Sequence, residues 1–307
     1  MIAIHSECCL SVHTTLKDTY IIKEILSTSK LSIVYLTEQV QTGEHRVIKE
    51  FFPSEIALRD LDNKTIIYRS PSKKQQFEEL KDNFIHEAQI LEQVNHKNIV
   101  EYVTHFEENN SVYIVMTLHK GTPMDKYLLD YQLNTRVQLF DTIFLPIIDA
   151  LCHLHNKGII HRDIKPNNII IDKEGSPRLL DFGSAIYYET TINPTIYTTA
   201  GYSPIEQYSN QSEQGIYTDI FSLAATIYYS MTNIVPLDIS QRVNDDQLVN
   251  IRNYNKNVSI VMARIIKWCL IVEPQKRCSS LKWVEMAILI EKFKQKMQNY
   301  LARYNNK

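Results

Sequence analysis

The sequence predicts an α+β fold with a small N-terminal part, built on an antiparallel sheet with one main helix, and a larger, mainly helical C-terminal part. Two observations predict it. Before residue 118, short runs rich in β-branched and aromatic residues alternate with polar or glycine turns, as is typical of antiparallel strands. Beyond that point, apolar residues recur at helical intervals over 138–155 and again over 283–304.

We expect the N-terminal part at 17–118 and the C-terminal part at 119–307, the latter including the terminal helix at 283–304. An extension over 1–16 has no clear hydrophobic period, and 53–83 forms a long insert.

Five runs in the N-terminal part predict strands. The Gly43 turn and the Asn109-Asn110 pair separate neighbouring runs, since both favour tight turns. The predicted strands are 20–26, 33–37, 46–52, 103–107 and 112–118.

Two segments before residue 95 have helical spacing. Residues 72–80 follow a candidate N-cap at Ser72, and 84–94 repeats apolar residues at helical intervals. The second is the main helix of the N-terminal part.

Composition limits the class of protein. The chain has 307 residues, 44% hydrophobic and 22% charged, which is ordinary for a globular protein, and its net charge of −2 gives no reason to expect nucleic acid as a partner. Its five cysteines are scattered without metal-ligand spacing, so we expect reduced thiols. With no secretory leader and no long apolar run, we expect a soluble, cytoplasmic chain without a membrane span.

The stretch from Ile160 to Asp172 carries the chemistry. Asp163, Lys165 and Asn168 lie close together around a proline that stiffens the turn. Asp181 follows ten residues after a short apolar run that predicts a buried strand at 169–171. A carboxylate near a hydroxyl, with an amide and a second carboxylate able to hold a hard cation, suits phosphoryl transfer.

The spacing His161-Arg-Asp163-x-Lys165-x-x-Asn168, followed by Asp181-Phe-Gly, resembles the protein kinase catalytic core. The segment 201–208 is similar to the Gly-Tyr-Ala-Pro-x-Glu-Gln-Tyr form of bacterial eukaryotic-like (Hanks-type) Ser/Thr protein kinases. The resemblance covers about residues 20–290. It implies a bilobal kinase fold with the active site between the lobes, and the use of ATP with Mg²⁺, or with Mn²⁺.

The resemblance also implies roles for the charged residues of this stretch. Asp163 would be the base that orients and deprotonates the substrate hydroxyl, and Lys165 would neutralise the γ-phosphate. Asn168 and Asp181 would hold the metal ion.

Lys49 lies in a predicted buried strand, where an unpaired ammonium would be costly. By resemblance it is the lysine that binds the α- and β-phosphates of ATP, and Glu87 is its partner on the main helix. The alternative for Lys49 is an ordinary lysine on an edge strand, and the alternative for Glu87 is an ordinary surface carboxylate.

The phosphate-binding loop departs from the family pattern. The flanking residues Leu26 and Val34 match, but Ser27, Ser29 and Ser32 stand where the family has glycines. Serine keeps the backbone N–H donors but gives up conformational freedom. We therefore expect a stiffer loop and weaker ATP binding.

The adenine pocket is assigned by resemblance alone. Met116 would lie at its back, and Thr117 and His119 would supply backbone contacts to adenine. Asp125 could reach the ribose, although it fits a helix N-terminus equally well.

Residues 184–206 resemble an activation segment rich in threonine and tyrosine. Arg162 offers a guanidinium that a phosphothreonine there could pair with, although the hydroxyls could simply populate a flexible loop. By resemblance, Thr199 bonds the catalytic Asp163 and Lys165. Structural pairs are expected between Glu206 and Arg277, and between a carboxylate at position 219 and the catalytic-loop backbone.

The leading hypothesis is an active Ser/Thr protein kinase that also autophosphorylates, with protein substrates and ATP as partners. One alternative is a pseudokinase, a nucleotide-binding or scaffold module with an all-serine phosphate loop. Another is a kinase for a small molecule or nucleic acid. The motifs favour a bacterial origin, including an effector delivered into a host cell.

Overall fold

The computed structural model describes residues 8–305 apart from 134 and 192, with side chains to residue 297. The chain divides into two compact units. The first runs to Asn95 and includes Val100–His119, and the second comprises His96–Ile99 and the chain from Lys120 onward. Four residues after the main helix thus belong to the second unit.

The first unit contains a six-stranded antiparallel sheet. Its strands are β1 Thr15–Leu16, β2 Tyr20–Thr28, β3 Ser32–Gln39, β4 His45–Phe51, β7 Tyr102–Glu108 and β8 Ser111–Thr117. They lie side by side in the order β1-β2-β3-β4-β8-β7. The five predicted strands are present, and β1 adds part of the N-terminal extension to the sheet edge.

The insert between β4 and the main helix contains a hairpin of β5, Ala57–Arg59, and β6, Ile66–Tyr68. The predicted division into two helical segments is wrong, because a single helix, α1, runs over Lys74–Gln93. The predicted cap at Ser72 is also wrong. Ser72 lies in a preceding 3-10 turn, and its hydroxyl bonds that of Ser70 instead of a helix amide.

A buried carboxylate ties this hairpin to the sheet. Glu50 on β4 is fully buried and accepts hydrogen bonds from the hydroxyls of Tyr35 and Tyr113, each at 2.8 Å. Arg59 on β5 donates to the same carboxylate at 2.8 Å and to the carbonyl of Cys8 at 2.9 Å. One buried ion pair therefore joins the sheet, the insert and the N-terminal extension.

The second unit is mainly helical. The helix Ile216–Thr232, α4, is its centre, because 14 of its 17 residues are buried. The terminal helix is confirmed and begins two residues earlier than predicted. The helices are α2 Met124–Tyr127, α3 Leu145–His155, α4 Ile216–Thr232, α5 Ile239–Arg242, α6 Ile251–Tyr254, α7 Ile260–Cys269 and α8 Leu281–Asn305.

The predicted helix over 138–155 is present but irregular. A 3-10 turn at Arg136–Leu139 leads into a π-helical turn at Phe140–Phe144, and only then does α3 begin. Pro146 explains the irregularity, because proline cannot donate to the carbonyl four residues earlier and its ring crowds that carbonyl.

The stretch Arg136–His155 is also the one part of the described chain that is long and apolar enough to cross a bilayer. Half of it is buried inside the protein. Core helices of globular proteins commonly have this length and composition, so the finding does not indicate a membrane span.

Short strands hold the loops of the second unit. β9, Thr122–Pro123, pairs with β11, Ile169–Ile171, which pairs in turn with β12, Pro177–Leu179. β10, Ile159–Ile160, pairs with β13, Ile186–Tyr187. These pairings fix the chain on both sides of residues 161–168.

Candidate active site

The loop that follows β10 is held by a buried carboxylate on α4. Asp219 accepts hydrogen bonds from the backbone N–H groups of His161 at 2.9 Å and Arg162 at 2.8 Å, and contacts His155 Nε2 at 2.9 Å. Burial by itself would raise the pKa of Asp219, but these partners hold it below its ordinary value. The predicted contact between residue 219 and the loop backbone is present.

Three side chains converge on the carboxylate of Asp163. Lys165 Nζ and Asn168 Nδ2 both donate to Oδ2 at 2.8 Å, and the hydroxyl of Thr199 donates to Oδ1 at 2.9 Å. Lys165 also donates to the Thr199 hydroxyl at 3.1 Å. Asp163 and Lys165 keep 17% and 23% of their side-chain surface exposed, so the cluster is fixed yet accessible.

The orientation of Asn168 suits a hard cation. Its amide nitrogen is turned toward Asp163, where it also bonds the backbone carbonyl at 2.8 Å. The amide oxygen therefore points the other way, as a metal ligand requires. Asp181 adds an exposed carboxylate after β12, on a residue with a left-handed φ of 56°.

Phe182 and His161 buttress this part of the site. Phe182 is fully buried and packs edge-on against the ring of His161, with centroids 4.8 Å apart. The Nε2 atom of His161 lies 2.9 Å from the carbonyl of Leu180. These contacts give His161 a structural role.

Among the described residues, no group of three or more His, Cys, Asp or Glu side chains is placed to hold a metal ion. Asn168 and Asp181 nevertheless offer the oxygen ligands that Mg²⁺ prefers. That ion is commonly held by one or two protein groups together with waters and substrate phosphates. The residues present fit such a shared site.

In the first unit, Lys49 and Glu87 form the predicted pair. Lys49 Nζ lies 2.7 Å and 3.0 Å from the two carboxylate oxygens of Glu87. Their side chains are 12% and 4% exposed, and the ammonium lies over the ring of Phe84. A largely desolvated pair of this geometry fixes the ammonium of Lys49 in one place.

The serine loop between β2 and β3 closes on itself. Ser29 Oγ accepts hydrogen bonds from the backbone N–H groups of Leu31 at 3.3 Å and Ser32 at 3.0 Å, and contacts Ser32 Oγ at 3.1 Å. None of residues 27–32 has a positive φ. Two amides of the loop are therefore already bonded to a side chain of that loop.

The same loop is anchored to the chain beyond β4. The carbonyl of Leu31 accepts from the N–H of Phe52 at 2.8 Å, and that of Lys30 accepts from the N–H of Ser54 at 3.0 Å. These bonds restrict its movement and support the stiffness predicted from the serines.

The remaining predicted nucleotide residues lie on or beside the sheet. Val34 on β3 pairs with both Ser27 on β2 and Lys49 on β4. Leu26 is exposed on β2, Met116 and Thr117 end β8, and His119 follows it. Thr117 is fixed by a 3.0 Å hydrogen bond from its hydroxyl to Glu101.

In the second unit, Asp125 lies in the first turn of α2 and accepts a hydrogen bond from Asn167 at 3.2 Å. Asp125 therefore lies at a helix N-terminus, which was the alternative to the ribose-binding role expected from the sequence.

The expected pair of Glu206 and Arg277 is present and buried, with closest atoms 2.6 Å apart. Thr218 donates to the same carboxylate at 3.1 Å. This pair joins the end of the activation segment to α4 and to the turn before α8.

Sequence reasoning missed one contact and one residue. Ser29 was singled out as a lost glycine, not as the residue that caps the loop, although hydroxyl side chains commonly bond nearby amides. Gln214 bonds Arg162 at 2.7 Å. No motif marks it, because the contact spans 52 residues of sequence.

A family model described as the protein kinase domain matches residues 20–289. The chain belongs to the protein kinase family. Its fold is the protein kinase fold, and a solved structure described as "PpkA-294 apo form" has it too, with a TM-score of 0.79 and 26% identity. That match covers 91% of this chain and 99% of the other.

Curated relatives include bacterial Ser/Thr kinases. Serine/threonine-protein kinase D of Synechocystis sp. is 29% identical over 216 residues, covering 67% of this chain and 41% of that protein. Serine/threonine-protein kinase PknA of Nostoc sp. is 26% identical over 280 residues, covering 87% and 46%. This chain thus spans less than half the length of either relative.

Proposed function

We propose that this chain is an active Ser/Thr protein kinase that transfers the γ-phosphate of ATP to hydroxyls of proteins, including its own. The observation that carries the proposal is the cluster around Asp163. Its carboxylate is held by Lys165, Asn168 and Thr199 in one orientation while remaining partly exposed. A chain that only bound nucleotide would not need a carboxylate, an ammonium and a hydroxyl in mutual contact.

Residues of the second unit act on the substrate hydroxyl that accepts the phosphoryl group, and each has a separate role. Asp163 orients the substrate hydroxyl and accepts its proton, and Lys165 lies 2.8 Å away to balance charge on the transferred phosphoryl group. Thr199 keeps the two side chains in register. Because the bacterial relatives are Ser/Thr kinases, we assign Ser and Thr hydroxyls as acceptors.

The first unit supplies the nucleotide contacts. Lys49, fixed by Glu87, would bond the α- and β-phosphates, while Leu26, Val34 and Met116 would contact the base. The backbone at Thr117 and His119 would hydrogen-bond it. The backbone over Ser27, Ser29 and Ser32 would cover the phosphates.

Asn168 and Asp181 would hold Mg²⁺, with Mn²⁺ as an alternative occupant. When bound, the ion neutralises phosphate charge that the protein's own cations do not balance. The amide orientation of Asn168 supports this assignment.

The second candidate is a pseudokinase, and the closed serine loop favours it. If two amides of the loop are permanently bonded to Ser29, the γ-phosphate is poorly held and turnover fails. The intact cluster at Asp163 supports the active enzyme instead.

Labelled ATP separates the two functions. Purified wild type is compared with Asp163→Asn for transfer of ³²P from γ-labelled ATP to casein and to the protein itself, and nucleotide binding is followed by thermal shift. Transfer by wild type alone supports the kinase. Stabilisation by nucleotide without transfer by either protein establishes the pseudokinase.

We further propose that the protein is bacterial and lies in the cytoplasm. From the sequence motifs we also propose that it is an effector delivered into a host cell. The cyanobacterial relatives support the bacterial part. Fractionation of the source cells and of exposed host cells, followed by immunodetection, tests the location.

A further inference from the structure

Arg162 lies next to Asp163 and is among the largest fully buried side chains, with 2% of its surface exposed. Its guanidinium donates to three separate segments. Nε donates to Oε1 of Gln214 at 2.7 Å, Nη1 to the carbonyl of Ser184 at 3.0 Å, and Nη2 to the carbonyl of Thr195 at 2.9 Å. Ser184 and Thr195 stand eleven residues apart in the activation segment. One side chain therefore fastens two distant points of that segment.

Gln214 is held on its other side as well. It is 9% exposed, and its Nε2 donates to the carbonyl of Glu206 at 3.3 Å. It lies two residues before α4, the central helix of the unit. An amide suits this place, because its oxygen accepts from Arg162 while its nitrogen donates to a carbonyl. Alanine could do neither, and a carboxylate could do only the first.

The backbone of Arg162 is fixed too. Its N–H donates to Asp219, its carbonyl accepts from Nε2 of Gln207 at 2.8 Å, and its φ is +68°. A non-glycine residue in this left-handed region persists only where its surroundings hold it there. A displacement of the guanidinium would therefore strain this backbone and move the adjacent Asp163.

The sequence offered Arg162 as the partner of a phosphothreonine. In the structure, three of its five N–H donors already bond neutral oxygens of Gln214, Ser184 and Thr195. Burial lowers the pKa of Arg162 to about 10, so the guanidinium stays charged at neutral pH. Each of the three guanidinium nitrogens of Arg162 thus already donates one hydrogen bond, and a phosphate that needed one of these donors would have to displace Gln214, Ser184 or Thr195.

We propose that Gln214 is a positioning residue that takes the place of a phosphate on Arg162, so that the activation segment and Asp163 are held for catalysis without phosphorylation of that segment. The proposal rests on the kinase function proposed above. It assigns to a neutral amide the part that charge-assisted pairing with a phosphorylated segment would otherwise play.

The first test removes phosphate from the wild type. The protein is treated with an immobilised phosphatase, shown by intact mass to carry no phosphate, and assayed with γ-labelled ATP and casein. We expect an initial rate within about twofold of the untreated enzyme and no lag. Tandem mass spectrometry monitors phosphate on residues 184–199 during the assay. A lag that ends as phosphate accumulates there overturns the proposal.

The second test varies the anchor. Gln214→Ala is expected to lower kcat about 10- to 100-fold, because misplacement of a catalytic group by about 1 Å has effects of that size. The KM for ATP should stay within about threefold, since the nucleotide contacts assigned to the first unit are untouched. Gln214→Glu keeps the acceptor for Arg162 and should recover most of kcat. Gln211→Ala removes an exposed side chain of the same type in the same loop and is the matched control.

Equal kcat for Gln214→Ala and Gln211→Ala overturns the proposal. Hydrogen exchange of residues 184–199 gives a readout that does not need activity. Faster exchange in Gln214→Ala than in Gln211→Ala supports the anchor, and equal exchange overturns it. If untreated and phosphatase-treated wild type both fail to transfer phosphate, the proposed kinase function fails, while the exchange result still decides the anchor.

Discussion

Replacing Ser29 with glycine is expected to tighten ATP binding, alone or together with Ser27→Gly. In the structure the hydroxyl of Ser29 holds the N–H groups of Leu31 and Ser32, the donors that a phosphate over this loop would need. Removing the hydroxyl frees both amides and restores the φ range of glycine. The expected result is a lower Kd and KM for ATP.

The magnitude follows from the bonds lost. Two hydrogen bonds are worth about 0.5–1.5 kcal/mol each, or about 1–3 kcal/mol together. Ordering a glycine instead of a serine costs about 0.5–1 kcal/mol. From the middle of each range, the difference is about 1.2 kcal/mol, which corresponds to binding about 8-fold tighter.

Ser27→Gly alone is the matched control. It introduces the same glycine freedom two residues away, but the hydroxyl of Ser27 closes none of these hydrogen bonds. Titration calorimetry with ATP and Mg²⁺ gives Kd, and initial rates give KM. If Ser29→Gly binds ATP no better than Ser27→Gly, or worse than wild type, the capped amides do not limit phosphate contact.

Three further predictions concern stability, pH and the acceptor side. Glu50→Ala leaves Arg59 buried without its carboxylate and should lower the free energy of unfolding, measured by urea titration, by about 3–5 kcal/mol. The control Glu55→Ala removes an exposed carboxylate and should not change that free energy measurably. Equal urea midpoints for the two variants would show that the buried pair does not stabilise the fold. The pKa of Asp219 is lowered in the folded protein, so its carboxylate stabilises the fold above the ordinary pKa of 3.8, and this stabilisation is lost as the pH falls through the folded pKa. The difference in free energy of unfolding between wild type and Asp219→Asn should therefore become smaller in acid. A difference that does not change with pH refutes this prediction. Thr199→Val should lower kcat about tenfold or more while Thr199→Ser stays near wild type in steady-state assays, and equal loss in both would show that the hydroxyl contact to Asp163 is irrelevant.

Much of the fold was predictable because local pattern and tertiary structure agree. The strands of the first unit, the strand at 169–171 and the terminal helix follow hydrophobic period and turn residues. The failures have physical causes. Ser72 was a plausible cap by type but lies one residue before the N-cap position, inside a 3-10 turn. Pro146 breaks the regular hydrogen bonding of a stretch whose apolar spacing predicts one helix.

The charged part of the site was predictable from spacing, since Asp163, Lys165 and Asn168 lie within one short loop. Contacts over long separations needed the structure. The amide of Gln214 reaches Arg162 across 52 residues, and Glu50 draws together Tyr35, Arg59 and Tyr113 from three strands. Nothing in the local sequence of Gln214 or Glu50 distinguishes them from surface residues.

Phosphoamino-acid analysis of the transferred label tests the central claim most directly. Wild type and Asp163→Asn are incubated with γ-labelled ATP, Mg²⁺ and casein, and the labelled residues are identified after acid hydrolysis. We expect phosphoserine and phosphothreonine with wild type, and a rate about 10²- to 10⁴-fold lower with Asp163→Asn. The variant should still be stabilised by nucleotide. Label on tyrosine alone, or equal rates for the two proteins, would contradict the proposed Ser/Thr kinase function.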